Sequence, residues 1–156
     1  MKMIKTVLAF VCVSALTLTS CSSDDDSGIS TDADISGKWN YNRTVTNLNG
    51  QESNQNYNTH EAGCDKDYVQ FADGNVFRDV VLYRNPANVC TEDAIVGTWA
   101  KSGNTLTITT PSPEPGQGNV TENFQIIRLD GSELHYVSTT STGGSTLTVT
   151  QVFTRN

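Results

Sequence analysis

Positive charge is what this chain has least of. Lys+Arg number 10 against 17 for Asp+Glu, and two of the ten, Lys2 and Lys5, stand at the amino end. From residue 35 onward 8 bases meet 12 acids, a net of −4. A chain without a basic patch cannot gain affinity for a phosphate backbone by releasing counterions, so nucleic acid is excluded as a partner. The same lack removes charge-driven adhesion to anionic lipid. Histidine occurs twice, at His60 and His135, and neither stands in a nucleophile motif. No Gly-x-Ser-x-Gly and no phosphate-cradling glycine loop occur. Most carboxylates lie beside turns, where aspartate is a turn former. Asp65 with Asp67, and Glu92 with Asp93, read as solvated loop rather than as calcium ligands. The expectation is a protein that is not an enzyme and needs no metal and no cofactor. Helical periodicity is also missing, and no apolar run reaches the roughly 20 residues that a membrane-spanning helix needs.

The one apolar run present, Thr6–Leu18, follows Lys2 and Lys5 and ends in small residues. A basic start, a short greasy segment and small residues at its end mark a secretory signal. Leu18-Thr19-Ser20-Cys21 resembles the bacterial lipobox, in which the cysteine sulfur takes a diacylglyceryl group and becomes the new first residue. That resemblance implies a signal peptide over 1–20 and a membrane anchor at Cys21. Residues 22–34 carry five acids and almost no large apolar side chain, so 21–34 reads as a lipidated cysteine on an acidic, flexible tether. Cys-Ser-Ser-Asp-Asp-Asp resembles, with one extra serine, the surface-export signal of Bacteroidota lipoproteins. Ser22 after the cysteine resembles outer-membrane sorting. The implied location is the outer membrane, and the cell surface, of a Gram-negative bacterium.

Four cysteines then sort by place. Cys12 belongs to the signal and Cys21 to the anchor, which leaves Cys64 and Cys90. In an exported, oxidising setting a disulfide is the default. A metal site with His60 is the rival, although only three ligands offer themselves.

Residues 35–156 form one domain. Turn signals recur at Asn49-Gly50, Asp73-Gly74, Ser102-Gly103-Asn104, Asp130-Gly131 and Gly143-Gly144. The runs between them alternate with a period of two, as successive hairpins do. Strands are expected near 37–47, 67–72, 75–83, 95–101, 104–110, 120–129, 132–140 and 145–155. Eight strands suffice for a closed barrel. The predicted fold is therefore all-β, a single antiparallel up-and-down barrel without a carboxy-terminal helix. Trp39, Tyr41, Arg43 and Val45 share one phase of the first strand; Leu147, Val149, Gln151, Phe153 and Arg155 share one phase of the last. Pairing these two strands removes both exposed edges and brings Trp39 near Arg155, where a guanidinium can stack on an indole.

Gly37-Lys38-Trp39 opening the first strand, with Arg155 closing the last, resembles the lipocalin signature. The order of further motifs is similar to that of the short lipocalin-like domain of Bacteroidota lipoproteins. These are Cys64 before Asp67, Phe71 and Gly74; Cys90; Gly97-Thr98-Trp99; Gly103-Asn104-Thr105-Leu106-Thr107-Ile108; and Phe153 with Arg155. The resemblance covers roughly 35–156 and implies a barrel sealed at the Trp39–Arg155 end. The Gly-x-Trp triplet occurs at both 37–39 and 97–99, either as a half-barrel repeat or by coincidence.

Two functions follow from different views of the interior. In one, the long loops 47–66 and 110–119 frame an open mouth, and the barrel binds a small apolar or amphipathic ligand. Arg43, Tyr41 and Gln151, in phase with the interior, would orient it, Arg43 meeting an acidic head group. In the other, eight large aromatics fill the barrel and its outer face docks on another envelope protein. His135 is expected on the surface.

Overall fold

The computed structural model describes residues 30–155. Cys21, the apolar run before it and most of the acidic tether lie outside the described residues. Nine strands follow in order: β1 Gly37–Leu48, β2 Gln51–Asn56, β3 Tyr68–Ala72, β4 Val76–Arg84, β5 Cys90–Ser102, β6 Thr105–Pro111, β7 Asn119–Leu129, β8 Glu133–Thr142 and β9 Ser145–Thr154. All pairings are antiparallel, in the order β2-β1-β3-β4-β5-β6-β7-β8-β9, and β1 pairs again with β9. Eight strands close the ring, and β2 is a ninth that lies beside β1. The first half of β1, Gly37–Asn40, pairs with β3, while Arg43–Leu48 of the same edge pairs with β2.

β2 corrects the expected count of eight, since the sequence pattern predicts a loop over 47–66. Asn49 and Gly50 both take positive φ, 52° and 88°, the turn whose twist suits a two-residue hairpin. The strand it launches, Gln-Glu-Ser-Asn-Gln-Asn, is exposed throughout. A strand with no buried face has no apolar alternation to reveal it. β5 likewise starts at Cys90, five residues ahead of the expected 95, over a polar stretch.

One end of the barrel is packed solid. Trp39, Phe71, Phe77, Leu106, Ile126, Leu129, Leu134 and Phe153 interdigitate there, each at most 5% exposed. The segment before β1 folds beneath them: Ile35 joins the core and its carbonyl accepts the Trp39 indole N–H at 2.7 Å. Arg155 then seals the floor. Its guanidinium carbon lies 4.1 Å from the centroid of the Trp39 ring. Its N–H groups donate to the carbonyls of Gly131 (3.1 Å), Ser36 (2.9 Å) and Asp34 (3.1 Å). The two Gly-x-Trp triplets differ in kind. Gly37 is needed for a φ of +113°, whereas at Gly97 a Cβ would overlap the Thr109 carbonyl.

Two β-bulges change which side chains look inward. One lies at Asn42, between Tyr41 and Arg43, and the other at Ile127, between Ile126 and Arg128. A bulge inserts one residue and reverses the phase beyond it. Past Asn42, Arg43 is opposite Val152, and Thr44 is opposite Gln151.

Candidate functional site

The opposite end of the barrel is open. Asn49-Gly50, residues 85–89, residues 112–118 and Gly143-Gly144 turn there. Above the packed floor the inward side chains no longer meet across the barrel. Six large apolar residues of inward phase are exposed around this mouth: Leu48, Val81, Tyr83, Ile95, Val120 and Leu147, at 38–54%. Water-facing apolar surface on the inner wall of a barrel is what an unfilled cup presents.

Beneath the rim lie two adjoining cavities of about 290 and 240 Å³. They share Tyr41, Glu122, Phe124 and Tyr136. Gln151, Ser138 and Val149 line the first; Phe77, Asp79 and Ile95 line the second. The aromatic walls are in contact: Phe124 tilts on Tyr136 at 4.7 Å between centroids, Tyr136 on Phe153 at 5.1 Å, and Tyr41 on Phe153 at 4.9 Å.

The polar groups of the cup are acidic or neutral. The Tyr41 hydroxyl donates to Asp79 Oδ1 at 2.8 Å. Burial holds the Asp79 carboxyl above the usual carboxylate range, against the Tyr41 hydrogen bond that lowers it; the Asp67 charge adds to the rise. Burial, and then Asp79, push the Tyr41 phenol far up. Tyr136 is 6% exposed, and its hydroxyl makes no hydrogen bond to another described residue. Its phenol is raised by burial first and by the Asp79 and Glu122 charges next. The exposed Glu122 side chain makes neither ion pair nor hydrogen bond among the described residues.

A second polar hub fastens the mouth. Asp67, fully buried, accepts from the Tyr57 hydroxyl (2.8 Å) and from the Leu82 amide (2.7 Å). Its own amide donates to His60 Nδ1 at 2.9 Å. Tyr57 stacks on Tyr41 at 4.8 Å and 16°. Segment 57–67 is thereby pinned over the gap where β1 passes from β3 to β2. Cys64 and Cys90 are joined in a disulfide with Cα atoms 5.7 Å apart, tying this segment to the start of β5. Arg84 donates to the Ala62 and Gly63 carbonyls beside it.

Of the residues expected in the pocket, Tyr41 and Gln151 face the cavities. Gln151 Oε1 accepts from Thr44 Oγ1 at 2.9 Å. Arg43 does not: the bulge at Asn42 turns it outward. There it and His135 flank Val152 on the outer wall. This corrects the assignment of Arg43 to an acidic head group. His135, expected on the surface, does face outward but is 15% exposed, with Nε2 buried beside Glu133. Residue type alone does not single out Asp79 and Glu122, because aspartate and glutamate ordinarily lie in turns and on the surface. Their phase with Phe77 and Phe124 was the available signal.

A family model described as a lipocalin-like domain matches residues 35–136. Two solved structures resemble the chain at 14% identity each. One is an uncharacterized protein from Bacteroides eggerthii DSM 20697, covering 79% of this chain and 100% of that chain at a TM-score of 0.48. The other is a lipocalin-like protein from Bacteroides uniformis ATCC 8492, covering 80% and 100% at a TM-score of 0.46. No curated protein matches the chain.

Proposed function

The chain belongs to the lipocalin-like domain family, and from that premise we propose that its domain binds a small amphipathic molecule in the open half of the barrel. The observation that carries this is the inward-facing apolar rim above two aromatic-walled cavities. A barrel serving only as a docking block would gain stability by filling that space. Each inward methylene brought out of water is worth about 0.8 kcal/mol, and here Ile95 and Leu48 remain half-exposed. The Cys64–Cys90 disulfide and the Asp67 hub hold the wall on one side of the mouth, so the cup is preformed rather than assembled by its ligand.

The proposal includes a location. Leu18-Thr19-Ser20-Cys21 and the acidic stretch 22–34 support a lipid anchor on a tether, presenting the cup at the outer membrane, on the cell surface. The test is native mass spectrometry of the full chain purified from its own envelope. A small molecule released on unfolding, and displaced by an added amphiphile, is the expected result. Purified chain that carries nothing and binds no member of a graded amphiphile set would return the domain to the role of an envelope-protein docking module.

A further inference from the structure

With Arg43 turned away, no lysine, arginine or histidine among the described residues lines either cavity. Lys101 and Arg155, which share the inward phase, lie at the sealed floor. What does face the space is Asp79, tied only to Tyr41 from within the cup, and Glu122, whose side chain has no partner among the described residues. Between them stands Tyr136, 94% buried, its hydroxyl unpartnered by other described residues and its ring forming wall to both cavities. That hydroxyl is not sealed in the core but opens to the cavities, where a ligand's hydrogen bond can reach it. Aromatic faces beside carboxylates are complementary to one kind of head group. The ring quadrupole and the carboxylate both attract a cation, and both repel an anion.

We propose that the cup selects organic cations, an ammonium group carried on a small apolar body. The inference rests on the small-ligand reading above and names the ligand class for it. The ammonium would lie between Asp79 and Glu122 against the faces of Tyr41 and Tyr136. A primary ammonium could donate an N–H to the free Tyr136 hydroxyl. The apolar body would run up the wall of Phe124 and Ile95 to the rim. The net −4 of the domain favours the approach of a cation by its long-range field.

The test is calorimetric titration of the full chain with three probes of one chain length: octyltrimethylammonium, octanol and octanoate. Octyltrimethylammonium is expected to bind at least ten-fold tighter than octanoate, with octanol between them. In the double variant Asp79→Asn with Glu122→Gln, the ammonium probe should lose most of its advantage over octanol, keeping only what the ring faces supply, while octanol binding stays as it was. Retained octanol binding also shows that the variant is folded. Octanoate binding as tightly as the ammonium probe would overturn the inference and leave the cup standing. An ammonium preference undiminished in the double variant would overturn it too, since the carboxylates would then play no part in holding the cation. Failure of all three probes would remove the small-ligand reading along with the inference.

Discussion

The Tyr41 hydroxyl donates to Asp79 Oδ1 at 2.8 Å across 38 residues of sequence. The bond joins β1 to β4 inside the barrel and leaves a carboxylate where an apolar side chain would be more stable. Burial raises the Asp79 pKa above its ordinary 3.8, so ionising it weighs against the folded state. That penalty is absent below about pH 4, grows as pH rises through the raised value, and is complete above it. Asp79→Asn keeps the acceptor for Tyr41 and removes the charge. The variant should therefore melt higher than the wild type at pH 7, with the gap closing towards pH 4. Thermal melts across that range check it; an unchanged gap at low pH would show that the carboxyl is not the cause.

The same carboxyl gives the cup a pH response. Asp79 faces Tyr41 from β1, Tyr136 from β8, Glu122 from β7 and the Asp67 charge ahead of β3. A bound ammonium needs it ionised. Affinity for octyltrimethylammonium should fall as pH drops through the raised Asp79 value, and octanol affinity should stay level. Calorimetry at three pH values separates the two.

Arg155 over Trp39 closes the floor by stacking and by three donated hydrogen bonds. A lysine keeps the charge but not the fork. Arg155→Lys should cost about 2 kcal/mol, on the scale of one desolvated cation–π contact or charged hydrogen bond. Urea unfolding monitored by tryptophan fluorescence reads this directly, and a midpoint unmoved by the substitution would make the clasp ornamental.

Cys64 and Cys90 close a loop of sequence separation 26. Replacing both by serine should destabilise by roughly 3.5 kcal/mol on the chain-entropy account. The loss should appear first in segment 57–67, which the Arg84 and Asp67 hydrogen bonds and the Tyr57–Tyr41 stack would then hold without the covalent tie. Hydrogen exchange at the Leu82 amide, which Asp67 caps, is the local readout.

Cys21 is expected to carry lipid. Metabolic labelling with a clickable fatty acid should tag the wild type and spare Cys21→Ala; equal label on both would place the acyl group elsewhere.

How much of this was legible in the chain follows from what periodicity can encode. Strands with one wet and one buried face announce themselves, so β1, β3, β4 and β6 to β9 were readable to within a residue or two. The pairing of β1 with β9 followed from the cost of open edges. The disulfide was expected from the number and setting of the cysteines. β2 was not readable, because all its residues are exposed and nothing in its sequence alternates. The sidedness of Arg43 was not readable either. Alternation counts residues, and a bulge at Asn42 removes one from the count without changing composition. That single insertion decided the character of the site. It turned the only cation of the upper β1 strand outward and left Asp79 and Glu122 facing the cup alone. Residue types and their spacing determined a closed all-β barrel with a Trp39–Arg155 floor. The sign of its interior, and the space left in it, were set by where the strands slip past one another, which only the tertiary packing fixes.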